Sequence, residues 1–517
     1  MPSLSEPTVS NDKKNQQQHV VVVVLGDVGR SPRIQYHALS ILEAGHNVSL
    51  VGYTGEALVP ALNDDRWSKT TTTTTTESRT ATTTGGDSGP RLNVVRFESR
   101  PPPAALRKIL PLYYLWRLLS LVGGLIQALW FGVAEPADTI LVQNPPAMPL
   151  LLIALLYKRY HRYFVRPRPR TRPQPLENTN EGTTTSPRTT RFIIDWHNLG
   201  YSMFRNGSLV QKLARVYETA LAPTADGHLC VTRAMKEYLI QDMKIEEDKI
   251  SVLYDCPPNL FRPMDLTEQH SFLSRVHDQL CQGCPPHWFG SLDTSYQTVL
   301  TELSPRGGGA NAVSRPHRPL LITSSTSWTD DEDFDLLLEA MSLFNNKLLS
   351  SSSSPSSTTT NELKALVVIT GKGPLKERYE EKMSRMSLER VSFQTVWLEP
   401  ADYPRLLACA DVGISLHTST SGLDLPMKVL DLFGCQTPVC AVGFDCLDEL
   451  VQDDVNGHVF TSSQQLANQL DELCGNKPAV ASSHGFGKLL EYSKNVGNRK
   501  RWAENWNEHG QPMVLIK

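Results

Sequence analysis

The chain has 517 residues, a net charge of −3 and 40% hydrophobic residues, enough for two or three domains with real cores. Near-neutral charge gives no case for nucleic-acid binding. Nine cysteines at irregular spacings give no disulfide framework and point to a reducing compartment, with Cys281 and Cys284 read as loop thiols rather than half of a zinc site.

Residues 1–18 are polar, carry no legible signal peptide and are expected to form a disordered tail. The VVVVVL run at 20–25 is too short to span a bilayer and reads as a buried parallel strand. It feeds the loop Gly26-Asp27-Val28-Gly29-Arg30-Ser31-Pro32, a helix over about 32–45 and a second strand, HNVSLVGY. The loop lacks the third glycine of the dinucleotide fingerprint, so NAD binding is poorly supported. It is either a tight strand-to-helix turn or a backbone cradle at a helix N-terminus with Arg30 as anion partner. Further strands are NVVRF, DTILVQNPP, RFIIDWHN and HLCVTR. The third of these ends in Asp195-Trp196-His197-Asn198, where an Asp-x-His at a strand end can supply a base; a capping Asp and a packed His are the alternative.

Four low-complexity stretches, near 69–89, 166–190, 267–316 and 349–360, read as solvated insertions or linkers. Residues 109–133 are long enough to span a bilayer, yet Arg117 within them argues against simple spanning. Tyr113, Tyr114, Trp116 and Trp130 suit a bilayer interface. A second apolar stretch, Met148–Leu156, precedes a basic run starting at Lys158 that favours an anionic leaflet. Membrane docking through the N-terminal half is expected.

The second half repeats the strand-helix alternation: PLLITSSTS, ALVVITGKGP, VSFQTVWL, DVGISLH and PVCAV. Alternation of this kind implies parallel sheets with helices on both faces, and ligands bind beyond the carboxyl ends of such strands. Ser324-Ser325-Thr326-Ser327-Trp328 follows the first of these strands. Asp330, Asp331, Glu332 and Asp333 after it suit the first turn of a helix as dipole partners. Gly371-Lys372-Gly373-Pro374 opens another helix, and its glycines allow backbone N–H groups to approach an anion closely. His417 and Asp424 flank the hydroxyl-rich loop Thr418–Ser421 with Gly422. The segment Ser419–Val442 then reads as a loop, a helix with Pro426 in its first turn, and a buried strand. Lys428 and Asp431 are expected on the exposed side of that helix, where a helix N-terminus with a cation binds phosphate and a carboxylate one turn on accepts a ribose diol.

Pro426, Lys428, Asp431 and Pro438 resemble the donor-binding motif of two-domain GT-B glycosyltransferases, with Gln436 at the usual glycine position. LGDVGRSPRIQYHALS, QNPPAMP, IIDWHNLGYS, SSTSWTDDEDF, ITGKGPL and WLEPADYP, in that order, resemble the chitobiosyldiphosphodolichol β-mannosyltransferase family over about residues 20–510. The resemblance implies an α/β GT-B fold with two Rossmann-like domains facing across a cleft. It implies inverting transfer of mannose from GDP-mannose to dolichol-diphosphate-linked chitobiose on the cytosolic face of the endoplasmic reticulum membrane. Other mannosyltransferases of that pathway are candidate partners. Two departures stand out: the Arg/Lys pair that retaining GT-B enzymes carry after SSTSW is missing, and no N-terminal membrane segment is legible.

On this reading the domains are an N-terminal acceptor and membrane domain at 19–265, a linker at 266–316, a GDP-mannose domain at 317–480 and a C-terminal helical segment at 481–517. Asp27, Asp195 and His197 are the candidate bases. Gly26, Gly29, Arg30, Ser325, Gly371, Lys372, Gly373, His417, Asp424, Lys428 and Asp431 are the candidate donor-binding residues. With no D-x-D motif at a strand end, no metal cofactor is expected to be required, although a divalent cation can assist. A sugar-nucleotide epimerase and an inactive membrane-bound scaffold are the competing readings.

Overall fold

The computed structural model describes residues 17–74, 79–84, 89–98, 103, 109–133, 135–164, 189–285, 288, 292–293, 296–304, 311–351, 363–419, 421–474 and 487–516. The runs at 166–190 and 349–360 and the tail at 1–18 fall mostly outside them. Two compact units form: unit 1 from residues 1–230, 236–253 and 506–517, and unit 2 from 231–235 and 254–505. The division thus falls at 253/254 rather than 265/266, and the last twelve residues return to unit 1.

Unit 1 carries β1 His19–Asp27, β2 Asn47–Tyr53, β3 Ser68–Thr74, β4 Arg79–Thr84, β5 Arg91–Phe97, β6 Thr139–Asn144, β7 Arg191–Trp196, β8 Gly227–Cys230 and β9 Ile250–Val252. They form one sheet in the order β4-β3-β5-β2-β1-β6-β7-β8-β9, parallel except for the β3–β4 hairpin. Val20–Val24 of β1 are buried at its centre. Helices α1 Pro32–Glu43, α2 Leu110–Gln127, α3 Leu150–Phe164, α4 Leu209–Leu221 and α5 Arg233–Gln241 follow strands of this sheet. The Thr-rich run near 69–89, expected to be a solvated insertion, instead supplies β3 and β4. Threonine is β-branched, and its stiff side chain suits a pleated edge.

Unit 2 has a six-stranded parallel sheet of order β14-β13-β12-β15-β16-β17. Its strands are β12 Leu320–Ser325, β13 Ala365–Thr370, β14 Val391–Val396, β15 Val412–Ser415, β16 Val439–Val442 and β17 Gly457–Phe460, preceded by a hairpin of β10 Thr301–Ser304 and β11 Asn311–Ser314. Its helices include α6 Leu266–Arg275, α7 His277–Cys281, α8 Phe334–Ser351, α9 Lys376–Ser384, α10 Tyr403–Cys409 and α11 Met427–Gly434. The stretch at 266–316 is not a linker. Phe272, Leu273, Val276 and Leu280 of α6 and α7 share a buried cluster with Leu321 and Leu366 of the sheet. Their 3.6-residue spacing buries one face of that segment, and the Ser/Gly/Pro content around it obscured the pattern.

In each sheet the strand order reverses at the first strand, whose two neighbours both come later in the chain: β1 lies between β2 and β6, and β12 between β13 and β15. The loops after β1 and β12 are the topological switch points, where open α/β sheets bind ligands.

Pro426 is the N-cap of α11 rather than part of its first turn, and its carbonyl accepts Val429 N–H at 3.0 Å. Past the end of α11, Gln436 has φ +61°. That is the left-handed region, which costs a side-chain-bearing residue roughly 1 kcal/mol. Gln436→Gly is expected to stabilise the chain by about 0.5–1 kcal/mol, read as a higher denaturation midpoint at unchanged m-value. An unchanged or lower midpoint would show that the glutamine side chain compensates its backbone.

Candidate active site

β7 ends in Asp195 and Trp196, both fully buried. Arg33 of α1 grips Asp195 in a fork, with Nη2 at 2.8 Å and Nε at 2.9 Å, and places Nη1 2.9 Å from the Leu253 carbonyl. His37 Nε2 lies 3.2 Å and His197 Nε2 2.9 Å from the same carboxylate. The indole N–H of Trp506 donates to His37 Nδ1 at 3.1 Å. Neutral His37 must therefore hold its proton on Nε2 and donate it to Asp195. Burial lowers the pKa of His37 and outweighs the pull of Asp195. Burial alone would raise that of Asp195, but Arg33, His197 and His37 hold the carboxyl well below its usual range.

This geometry separates the candidate bases. Asp195 is buried, ionised and saturated with donors, so it cannot reach a substrate hydroxyl. Asp27 caps a short 3₁₀ turn. Its carboxylate accepts Gly29 N–H and Glu56 N–H, each at 2.9 Å. A Cβ on Gly29 would sit 2.5 Å from the Glu56 carbonyl oxygen, and Arg30 is exposed and pairs with Glu56 at 2.9 Å. Gly26, still within β1, leads into a turn that satisfies itself rather than a cradle. Asp27 and His197 both keep part-exposed side chains, but the Asp27 oxygens are taken up by its own turn, whereas His197 is oriented by Asp195 and keeps one ring nitrogen outward. With Nε2–H directed at Asp195, its Nδ1 lone pair has no protein partner among the described residues. An imidazole oriented by a buried carboxylate can accept a proton and stabilise the resulting charge.

The loop after His197 is pinned from α4. Glu218, fully buried, accepts Gly200 N–H and Tyr201 N–H at 2.9 Å each and the Asn144 amide at 2.7 Å. Burial raises its pKa against those three bonds. Arg33, His37, Asn144, Glu218 and Trp506 were not legible as site residues, because nothing local in sequence joins them to Asp195 or His197.

In unit 2 the loops after β12, β13 and β15 interlock. Glu332 is nearly buried and accepts from Lys428 Nζ, from Thr326 Oγ1 and, at 2.8 Å, from Ser327 N–H. Glu332 is thus not merely a helix-dipole partner, as its place in an acidic run suggested; Asp333, at 3.3 Å from Leu336 N–H, takes that part. Lys428 is less free than expected, since its charge is already paired. Gly371, at φ +133°, and Gly373 pack against this loop so closely that a Cβ on either would lie 1.8 Å from the carbonyl oxygen of Thr326 or Ser327. Between them Lys372 places Nζ 3.7 Å above the exposed ring of Trp397.

Ser325, at the end of β12, bonds the Tyr403 hydroxyl at 2.9 Å and accepts from Thr370 at 3.2 Å. Burial, reinforced by nearby Asp431, raises the Tyr403 pKa. The Asp431 carboxyl has no hydrogen-bond partner among the described residues, and burial pushes its pKa up to about 7. It is less exposed than its place on α11 suggested. Asp424 accepts from Ser419 and, at 3.2 Å, from Ser421, so it organises its own loop. His417 pairs its backbone with Glu332 in an isolated bridge. Unit 2 therefore brings together Ser325, Gly371, Lys372, Gly373, His417, Lys428 and Asp431, with Glu332 and Tyr403 added by the structure. Cys281 and Cys284 are free thiols, and burial pushes Cys281 up to about 12, which keeps it protonated and a poor nucleophile.

The Asp431 carboxyl yields a prediction with a definite sign. Its folded pKa lies above the ordinary carboxylate value, so the folded state binds more protons between about pH 4 and 7 and loses stability as pH rises through that window. Asp431→Asn removes the loss. The variant is expected to melt above the wild type at about pH 8 and to match it below about pH 4, while donor affinity or turnover falls about tenfold to a hundredfold. Melting curves that differ equally at both pH values would remove the titration from the account.

Residues 29–256 match the family model described as glycosyl transferase 4-like domain, and residues 318–476 the one described as glycosyl transferases group 1. Among solved structures, sucrose-phosphate synthase from Thermosynechococcus elongatus aligns with a TM-score of 0.54 at 13% identity, covering 96% of this chain and 98% of that one. A glycosyltransferase from Rickettsia africae aligns at 0.53 and 12%, covering 96% and 97%. These likenesses speak to the fold, GT-B. A relative from Arabidopsis thaliana named UDP-glycosyltransferase TURAN is 36% identical, over 95% of this chain and 96% of that protein. The mouse protein named chitobiosyldiphosphodolichol beta-mannosyltransferase is also 36% identical, over 96% and 89%, and the protein of that name from Dictyostelium discoideum is 31% identical, over 94% and 92%. With relatives of that name at this identity across nearly its whole length, the chain belongs to the chitobiosyldiphosphodolichol β-mannosyltransferase family of glycosyltransferases.

Proposed function

We propose that the chain transfers mannose from GDP-mannose to chitobiosyl-diphosphodolichol, forming a β-1,4 linkage with inversion. The observation that carries this reading is the 31–36% identity, over nearly the full length, to relatives named for that acceptor and for beta-mannosyl transfer. These relatives do not favour the epimerase or inactive-scaffold readings.

The roles follow from the chemistry of each group. Asp431, without a protein partner, accepts the ribose diol. The Gly371–Gly373 turn offers backbone N–H groups to the diphosphate, and Lys428 shares its charge between Glu332 and a phosphate oxygen. His197 Nδ1 takes the proton of the acceptor 4-hydroxyl as its oxygen bonds the anomeric carbon. GDP leaves with the electron pair of the broken bond, and Asp195 stabilises the imidazolium. No resident metal is needed on this reading, because Glu332 is committed to Lys428 and Asp431 is only partly charged near neutral pH; a divalent cation can still assist departure of GDP.

A dolichol-linked acceptor calls for a membrane, and we infer the cytosolic face of the endoplasmic reticulum. Residues 112–132 are long and apolar enough to cross a bilayer and only 22% of the most apolar window is buried. Arg117 within them is exposed and donates to the Tyr113 hydroxyl at 3.3 Å, a placement suited to an interface rather than mid-bilayer. Other mannosyltransferases of the pathway remain candidate partners.

Purified chain incubated with GDP-mannose and a chitobiosyl-diphospho-lipid is expected to give a product one hexose heavier. GDP should raise the melting temperature more than UDP, since a ligand bound only by the native state stabilises it, by about 2.7 kcal/mol at a hundredfold excess over Kd. The name of the Arabidopsis relative points to uridine; an equal or larger shift with UDP would overturn the guanosine assignment. His197→Gln should lower kcat by about 10²–10⁴ and leave the GDP-induced shift intact. Unchanged kcat would remove His197 from the reaction.

A further inference from the structure

We propose that α4 and the turn before it form a docking surface for the anionic face of a lipid bilayer. The helix is amphipathic in the reverse of the usual sense. Its inner face holds Ala214 and the charged Glu218, both buried, while its outer face is apolar. Leu209, Leu213 and Val216, spaced four and three apart on one stripe, are 72%, 59% and 65% exposed, and Met203 just ahead of the helix is 68% exposed. Soluble surfaces scatter such residues singly; a contiguous stripe marks a partner.

The charges beside the stripe choose the partner. Arg205, Lys212 and Arg215 flank it and all three are exposed, and no acid occurs from Leu199 to Tyr217. An apolar stripe bordered by Arg205, Lys212 and Arg215, of which only Arg215 has an acid nearby, Asp242 at 3.8 Å, suits acyl chains beneath anionic headgroups; a protein partner would have to bring acids of its own. Continuity with α3 enlarges the surface. The Tyr217 hydroxyl accepts Leu152 N–H at 3.0 Å, and α3 exposes Leu152, Leu156 and Tyr163.

The inner face of α4 gives the docking a consequence. Glu218 holds Gly200 and Tyr201, three and four residues past His197. A bilayer contact on the outer face thus fixes the height of the His197 loop above the membrane, where a lipid-linked diphosphate presents its sugar. This consequence rests on the proposed acceptor; the surface itself does not.

The test uses the full chain with an environment-sensitive fluorophore on Leu213→Cys or, as control, on the exposed Glu377→Cys of unit 2, with the signal of label on wild-type thiols subtracted. Phosphatidylcholine vesicles containing phosphatidylserine should blue-shift the label at 213 and leave the one at 377 unchanged. Leu209→Ser with Leu213→Ser and Val216→Ser should weaken vesicle binding at least about tenfold. It should keep the GDP-induced thermal shift and keep transfer to a short-chain, water-soluble acceptor. Arg205→Gln, Lys212→Gln and Arg215→Gln together should weaken binding to the anionic vesicles roughly tenfold or more and leave binding to pure phosphatidylcholine unchanged. A label at 213 that stays in water while the chain sits on vesicles, or no vesicle binding at all, overturns the proposal. So does a blue shift that grows with protein concentration without lipid, which would assign the stripe to a second copy of the chain. If transfer to both acceptors is absent while the label still shifts, the enzymatic reading fails and the surface stands.

Discussion

A carboxylate removed from water must be matched by charge and hydrogen bonds, and Asp195 is the place where this chain meets that demand. An unpaired buried ion costs several kcal/mol, so each of its partners is fixed by it. Arg33 brings the start of α1 against the end of β7. His37 brings the next turn of the same helix. Trp506 closes on His37 from a segment some 470 residues further along the chain, which accounts for the return of the C-terminal residues to unit 1. The one part-exposed member of the set, His197, inherits its tautomer from the others. A catalytic imidazole needs its inner nitrogen protonated and its outer one bare, and the indole–imidazole–carboxylate order imposes that without any group of the substrate.

Unit 2 solves a similar problem with Glu332. That carboxylate gathers Thr326 and Ser327 from the loop after β12 and Lys428 from α11, and the glycines at 371 and 373 exist because the gathered loop leaves no room for a Cβ. The missing Arg/Lys pair after SSTSW is consistent with this arrangement: the loop spends its polar groups on Glu332.

What was legible in the sequence divides along the range of the interactions. Strands such as VVVVVL and ALVVIT, and the order of the units, are written in local periodicity. So were the helix carrying Lys428 and Asp431 and the GKGP turn as elements, because a strand-to-helix junction has a local grammar; the pairing of Lys428 with Glu332 and the burial of Asp431 were not. The bland reading of Gly26–Pro32 as a tight turn fits the Asp27 cap better than an anion cradle does. Three further things were not legible. The Thr run pairs at a sheet edge, where β-branching outweighs low complexity. The 266–316 stretch hides two core helices among Ser, Gly and Pro. The division of labour between Asp195 and His197 depends on Arg33, His37 and Trp506, whose contacts no spacing rule anticipates.

The unit 2 site is close to neutral before any ligand arrives. Lys428 is paired with Glu332, and burial keeps Asp431 partly protonated near neutral pH. Under the proposed donor role, a nucleoside diphosphate bound here would change both balances. Its phosphate competes with Glu332 for the ammonium, which makes Glu332 the counterweight that sets how firmly the anion is held. Its ribose diol donates two hydroxyls, which favour the ionised carboxylate and so draw a proton from Asp431. On the proposed role of Asp431, its desolvation would thereby turn donor binding into a proton-releasing step. The cost of burying that carboxyl, borne in the empty protein, is returned as selectivity for a ligand able to solvate it.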